Sequence, residues 1–163
     1  MEPALLRATR MRDGIFNVVE MVFDLGTSAA AIESYAANDV IGVDGADGTI
    51  FTWDIDINGH LVDLEMLILE SPTTGDDDIH LYANNSAINA NAAGNGGTDT
   101  TIDIGTAVVG ESQSVAVTAP TYATAKFFYL VSDGSTAGTY DNGILVIRTT
   151  GFVLDTAAAD TFV

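Results

Sequence analysis

The sequence contains no cysteine and, among its 163 residues, only five lysines and arginines and three prolines. The absence of cysteine excludes a disulfide framework and any thiolate metal site. With 23 acidic residues against the five basic ones, the formal net charge is −18, and a body of this charge repels both phosphate and anionic lipid. The composition therefore argues against nucleic acid and against membrane as partners.

Long apolar runs are also missing. No stretch approaches the roughly 18 residues that a membrane helix needs, and residues 1–12 lack the uninterrupted apolar segment of a signal peptide. The hydrophobic fraction of 47% is nevertheless sufficient for a core, since a chain of this length buries about 70% of the surface that its unfolded form exposes. We therefore expect one folded domain.

The few basic residues are placed unevenly along the chain. Arg7, Arg10 and Arg12 lie within the first 12 residues, whose net charge is +2, whereas beyond them two basic residues face 22 acidic ones. We interpret residues 1–13 as a basic N-terminal arm that forms a short amphipathic turn of helix. Residues 14–163 are interpreted as a single β-sandwich domain.

Apolar residues of the body alternate with polar ones or form short runs, each closed by Gly, Asn, Asp or Pro. The pattern predicts nine strands, at Ile15–Leu25, Val40–Val43, Thr49–Ile57, His60–Glu70, Asp78–Ala83, Thr100–Ile104, Ser114–Thr118, Lys126–Ser132 and Gly143–Val153. A helix is predicted only at Ala29–Ala37, with Thr27 or Ser28 as its N-cap. Short strands without alternating helices indicate an all-β fold, an antiparallel β-sandwich that is jelly-roll-like and carries the N-terminal arm.

Residues 54–65 match the pattern of a calcium-binding loop between two helices, with oxygen-bearing side chains and a glycine at the required spacing. The preceding residues are rich in glycine, threonine and aromatic side chains, which favour a strand over the entering helix of such a unit. We predict no metal site and no cofactor. Calcium is the alternative, held on the outer face of a sheet by Asp54, Asp56, Asn58, Asp63 and Glu65.

The same segment fits a β-hairpin whose turn is Asn58-Gly59. Pairing residue 57 with residue 60 would place Trp53 opposite Leu64 and form one continuous apolar face. We predict this hairpin because periodicity over a long segment outweighs a short pattern. It would set Asp54 opposite Asp63, a destabilising arrangement that a calcium ion would relieve.

Catalytic constellations are not recognisable in the sequence. His60 and His80 are the only imidazoles, and neither has an identifiable nucleophile beside it in the chain. The motifs of serine hydrolases, phosphate-binding loops and zinc peptidases are missing. We therefore predict that the protein is not an enzyme and assign no catalytic residues.

The C-terminal part contains one further pattern within residues 119–152. A Lys-aromatic-Leu-Val strand at Lys126–Ser132 is followed by a turn rich in glycine and threonine and by an Ile-Arg strand around Arg148. This arrangement resembles the C-terminal strands of small β-sandwich or jelly-roll proteins that coat the capsids of tailed bacteriophages, the decoration or cement proteins.

The resemblance implies a viral structural protein of the virion that binds the outer capsid surface and stabilises the particle. Proteins of this kind are usually homo-oligomers, often trimers, and use terminal arms to grip the shell. On that basis Arg7, Arg10 and Arg12 would form a capsid-docking arm that binds the major capsid protein or other shell subunits. The acidic body fits an exterior position, because the packaged genome would repel it from the inner wall.

A different class of function also fits the composition. A calcium-supported β-sandwich module that binds carbohydrate or another ligand would use aromatic side chains as stacking platforms. Its candidate stacking residues are Trp53, Tyr82, Tyr122 and Tyr140.

Overall fold

The part of the chain that the structure describes folds almost entirely into β-strands, as the alternating sequence pattern predicts. The structure is a computed structural model, and it describes residues 3–26, 32–34, 39–42, 48–72, 74–75, 77–84, 99–105, 107–116, 126–132 and 138–152. The elements are β1 (Ala4–Asp13), β2 (Phe16–Asp24), β3 (Ile32–Ser34), β4 (Asp39–Val40), β5 (Phe51–Trp53), α1 (Ile55–Asn58), β6 (His60–Glu70), β7 (Ile79–Asn84), β8 (Asp99–Ile104), β9 (Ser112–Ala116), β10 (Lys126–Ser132), β11 (Gly138–Tyr140) and β12 (Ile144–Phe152).

The strands form two main sheets and one small one. The first sheet has the order β1-β2-β12-β6-β9, and the second has the order β4-β10-β7-β8 with β5 also paired to β10. A two-stranded sheet of β3 and β11 accompanies them. Neighbouring strands are antiparallel throughout.

The order of strands is that of a jelly roll. Taking β4 and β5 as one position, the first strand of the roll (β2) pairs with the last (β12), and the second (β4 and β5) pairs with the second from last (β10). The third (β6) pairs with β9, and the two middle strands, β7 and β8, pair with each other. This nested pairing divides eight strand positions into two four-stranded sheets. β1 extends the first sheet beyond the roll.

One hydrophobic core lies between the two main sheets, as expected where alternate residues of facing strands point inward. Phe23 of β2, Leu64 of β6, Leu81 of β7 and Leu145 of β12 are all buried in it. Phe51 stacks on Phe128 of β10 with ring centroids 4.4 Å apart. Each such side chain contributes about 1.5–3 kcal/mol when it leaves water, so the core stabilises the sandwich as a whole.

The predicted strands largely agree with the observed ones. The bounds of β6 and β10 are those predicted, and the expected strand at Gly143–Val153 is β12. The helix at Ala29–Ala37 is wrong where the structure describes that segment, because Ile32–Ser34 is strand β3, paired with β11. Pairing with a partner strand overrides a weak helix propensity in such a short segment. The rest of that predicted helix lies outside the described residues.

The predicted hairpin about Asn58-Gly59 is also wrong. β5 pairs with β10, and β6 pairs with β12 and β9. Between β5 and β6 the chain makes one helical turn, α1, whose N-cap Asp54 accepts a hydrogen bond from the backbone N of Asp56. Gly59, with φ 78°, ends this turn. Asp54 therefore does not face Asp63, which lies between Thr150 and Ala116.

The N-terminal segment is a strand instead of a turn of helix. β1 pairs with β2 across the two-residue turn Gly14-Ile15, in which Gly14 has φ 58°. A positive φ is accessible to glycine at no steric cost, which permits this tight connection. The segment interpreted as an arm is thus the outermost strand of the first sheet.

Candidate interaction surface

β1 combines the features of an interaction element. It is the end strand in the order of the first sheet, and all of its residues are exposed. Leu5, Leu6 and Met11 are exposed by about half, at 52%, 55% and 53%. An edge strand presents backbone N–H and C=O groups that another strand can pair with, and apolar side chains beside that edge strengthen such pairing. β1 is therefore the leading candidate for contact with another protein.

Arg7 begins a row of charges that crosses the outer face of the first sheet. Arg7 pairs with Val22 in regular register from the turn, on the face of Glu20, and Arg7 Nη2 lies 2.9 Å from Glu20 Oε1. Glu20 Oε2 accepts from Arg148 Nη2 at 3.0 Å, and Arg148 Nη1 donates to Glu65 Oε2 at 3.3 Å. The row, Arg7-Glu20-Arg148-Glu65, crosses β1, β2, β12 and β6 with alternating sign, and we call it the charge row.

Within the charge row, Glu20 and Arg148 hold each other in their ionised forms. The hydrogen bond from Arg148 is the main cause that lowers the pKa of Glu20 from its ordinary value of 4.5; partial burial opposes the shift, and the charges of Arg148 and Arg7 add to it. The same hydrogen bond raises the pKa of Arg148. Glu20 and Arg148 therefore stay charged over the whole range in which proteins normally work.

Arg10 and Arg12 lie on the opposite face of β1 from the charge row. Their cross-strand partners are Val19 and Asn17, and Asn17 is buried on the inner side of the sheet. Arg10 Nη2 donates to Oδ1 of Asn58, and Arg12 Nε donates to the carbonyl oxygen of Gly14 at 3.3 Å. The three arginines predicted to act together are thus divided between two faces of one strand. Their docking role stays a prediction.

Three of the five candidate calcium ligands serve other contacts. Asp54 Oδ1 caps α1, Asn58 Oδ1 accepts from Arg10, and Glu65 belongs to the charge row. Within the described ranges, which include all five residues, no three acidic or histidine side chains lie close enough together to hold a metal ion. Calcium binding stays a prediction, which a titration can test.

His80 takes part in a polar cluster that sequence reasoning missed. Its Nε2 lies 3.0 Å from Asp78 Oδ1 and its Nδ1 lies 3.1 Å from the hydroxyl of Tyr82, while the residue is only 6% exposed. The spacing Asp78-x-His80-x-Tyr82 could have indicated this cluster from the sequence, because alternate residues of a strand share a face. His60, the other imidazole, begins β6 and is half-buried.

The candidate stacking residues differ in accessibility. Trp53 is 2% exposed and donates from Nε1 to the carbonyl oxygen of Gly59 at 2.9 Å. Tyr140 is fully buried, and Tyr82 is half-buried and stacks on Tyr129. Tyr122 lies outside the described residues. The rings of Trp53 and Tyr140 are core components and offer no open face to a sugar.

A cavity of about 280 Å³ lies at one end of the first sheet, where Asp24, Glu70 and Asp141 contribute to its lining. Each of the three carboxylates already accepts a hydrogen bond. The donors are Gly26 N at 2.8 Å for Asp24, Asn142 Nδ2 at 3.3 Å for Glu70, and Thr74 Oγ1 at 2.5 Å for Asp141. These bonds connect the ends of β2 and β6 with nearby loop residues, and one of them joins two loops to each other.

Comparisons with protein-family profiles, with curated proteins and with solved structures find no match. In the part of the chain that the structure covers, no helix has the length and apolar character needed to span a membrane.

Proposed function

We propose that this protein is a structural component of a virus particle, a decoration subunit that binds the outer surface of a bacteriophage capsid and stabilises it. The observation that carries the proposal is β1, an exposed, basic, partly apolar edge strand on a strongly acidic body. The proposed partner is the major capsid protein, and the proposed location is the exterior of the virion.

Different groups of β1 would make different contributions to binding. Positive side chains at the rim of an interface steer and orient a partner more than they supply affinity. Leu5 and Leu6 supply apolar area, and the edge of β1 supplies backbone hydrogen bonds to an extended segment of the shell. The acidic body repels the packaged genome and neighbouring acidic surfaces, which favours attachment from outside through β1.

The proposal assigns no catalytic role. His80 is buried between Asp78 and Tyr82, and His60 stands at the start of a strand. The cluster around His80 supports a structural function, because its hydrogen bonds join side chains of one strand and its preceding turn.

Co-sedimentation of this protein with capsid shells tests the proposal. The shells are assembled from the major capsid protein that the same genome encodes. Two variants change the charge of β1 equally, by −2: Arg12→Glu, and Leu5→Asp with Leu6→Asp. The control, Ser112→Asp with Ser114→Asp, makes the same charge change on β9, the opposite edge of the sheet, where both serines are exposed. We expect the wild-type and control proteins to sediment with the shells and both β1 variants to lose most of their binding.

The proposal fails if the wild-type protein stays in the supernatant. It also fails if the control loses binding as fully as the β1 variants, since the effect would then report total charge. The alternative function, a calcium-supported binding module, would be favoured by a melting temperature that rises several degrees with calcium and falls with chelator, because a ligand that binds the native form stabilises it.

A further inference from the structure

The outer face of the first sheet carries apolar area around the charge row. Val18 and Val22 of β2, Val146 of β12 and Leu67 of β6 are half-buried on this face, as their register with one another requires. At one end Phe16 meets Phe152 edge-on, with ring centroids 6.0 Å apart. A sheet face with this much aliphatic and aromatic surface stabilises an assembly when a complementary surface covers it.

The charge row makes this face complementary to itself. Along the row the charges alternate in sign from Arg7 to Glu65, one on each of four adjacent strands. Read from the opposite end, the order of signs is inverted, so a reversed second copy presents a negative charge to every positive one. Complementary potentials of this kind fix the register of an interface and suppress wrong alignments.

The alternation selects one rotation axis among those that could relate two copies face to face. An axis parallel to the strands, midway between β2 and β12, places Glu20 opposite Arg148 of the second copy and Arg7 opposite its Glu65. An axis along the row itself would place each residue opposite its own equivalent and bring like charges together, which costs several kcal/mol. Sheets that pack face to face align their strands within about 30°, which the first axis permits.

We propose that the outer face of the first sheet is a two-fold interface between two copies of this chain, aligned by the charge row. Four long strands spaced about 4.8 Å apart and about nine residues in length give a face of about 20 Å by 30 Å, or about 600 Å². The side chains that project from the face add to this flat area. The total is close to the ~800 Å² that each partner of a stable complex contributes.

The distribution of charge over the molecule favours this face for self-association. Two of the five basic side chains, Arg7 and Arg148, stand on this face, whereas Arg10 and Arg12 lie on the other side of β1 and Lys126 is buried in β10. Two bodies of charge −18 repel each other elsewhere. The inference is independent of the proposed capsid attachment, because a dimer formed through this face leaves the free edge of β1 and the side of Arg10 and Arg12 uncovered.

Complementary charge variants test the dimer. Arg7→Glu with Arg148→Glu gives an all-negative row and changes the net charge from −18 by −4 to −22; Glu20→Arg with Glu65→Arg gives an all-positive row and changes it by +4 to −14. We expect the wild-type chain of 17.0 kDa to sediment at twice its mass. Each variant alone should associate at least about tenfold more weakly, because like charges then face each other, and an equimolar mixture should form a heterodimer.

The fourfold variant that makes all of these exchanges is the matched control. Its net charge stays at −18 and its row again alternates in sign, so it should dimerise like the wild-type protein. Circular dichroism and melting curves establish that each variant is folded. A wild-type protein that sediments as a monomer or a trimer overturns the proposal, and so does a mixture of folded variants that fails to pair.

Cross-linking keeps the proposal testable if the row variants do not fold. The wild-type chain has no cysteine, so Val18→Cys and Thr150→Cys, prepared separately, introduce single thiols that the proposed axis sets opposite each other. We expect the oxidised mixture to yield a disulfide-linked heterodimer faster than either protein alone. Equal rates in the mixture and in the separate proteins overturn the proposed alignment.

Discussion

Gly151 in β12 lies against the indole ring of Trp53. A Cβ atom at this position would approach Cζ2 of the ring to 2.6 Å, with the backbone of Asn58 also in the way. We expect Gly151→Ala to lower the free energy of unfolding by about 1–3 kcal/mol, the usual cost of overpacking. The control is Gly105→Ala, where a Cβ would meet nothing within 4 Å. Urea denaturation measures both, and equal stabilities would contradict the packing described here.

The ion pair between Glu20 and Arg148 gives a pH-dependent contribution to stability. Since the folded protein lowers the pKa of Glu20 from 4.5, this contribution is present above that value and disappears as the pH falls through the lower, folded-state pKa. A double-mutant cycle with Glu20→Gln and Arg148→Gln should give a coupling of about 0.2–1 kcal/mol at neutral pH, as for other exposed pairs. The coupling should shrink as the pH falls below 4.5 and through the lowered folded-state pKa, and a coupling that stays constant on acidification of the folded protein would contradict the ionic origin.

At the scale of the element, α1 distinguishes the observed fold from the predicted hairpin. We expect Asp54→Ala to lower the free energy of unfolding by about 1 kcal/mol, because Asp54 caps this turn and cap removal has that usual cost. In the hairpin the same change would remove repulsion from Asp63 and stabilise the protein. Asp56→Ala, which removes an exposed carboxylate in the same turn, should change the stability little. Thermal or urea unfolding of the wild type and the two variants shows whether Asp54→Ala lowers or raises the free energy of unfolding.

The strands could be predicted from sequence because the alternation of side chains is local. The alternation predicts the bounds of β6 and β10 to the residue, and the inward side chains Leu64 and Met66 lie in the core as expected. The partner of a strand is not encoded locally. Trp53 does face inward, but its strand pairs with Lys126 and its neighbours, far away in the chain, and no short-range signal reveals that choice.

The charge row shows a similar limit of prediction from sequence. Arg148 and Glu20 are 128 positions apart and become neighbours only through the pairing of β12 with β2. Arg7 could be identified from sequence as part of a basic segment, but its partner could not. The bulge between Leu5 and Arg7 is likewise a feature of sheet geometry, which the sequence pattern does not predict.

At the scale of the whole molecule, the net charge of −18 should make stability depend on ionic strength. Repulsion among acidic side chains opposes the compact state, and salt screens it, with a Debye length of about 30 Å at 0.01 M and about 10 Å at 0.1 M. We expect the melting temperature to rise by several degrees when sodium chloride is raised over that range. A melting temperature that falls would show that attractive pairs such as the charge row outweigh the repulsion.

The jelly roll itself is compatible both with capsid decoration and with the binding of carbohydrate. The same architecture occurs in viral capsid proteins and in lectins, so function must be argued from the site and not from the fold. Here the site is an exposed basic strand and a charged sheet face, whereas the aromatic rings of Trp53 and Tyr140 are buried. This distribution supports the proposed contact with another protein, and of the candidate stacking rings described, only that of Tyr82 is partly accessible.

The nested pairing of strands also bears on how the chain acquires its structure. β2 lies beside β12, so a growing polypeptide that has not yet reached Ile144 leaves β2 and β6 without the strand that separates them in the finished sheet. Contacts between segments so distant in the chain form slowly, because a large loop must close before any of them is made. During synthesis the aliphatic faces of β2 and β6 therefore remain open to chaperones and to other nascent chains until β12 has been synthesised.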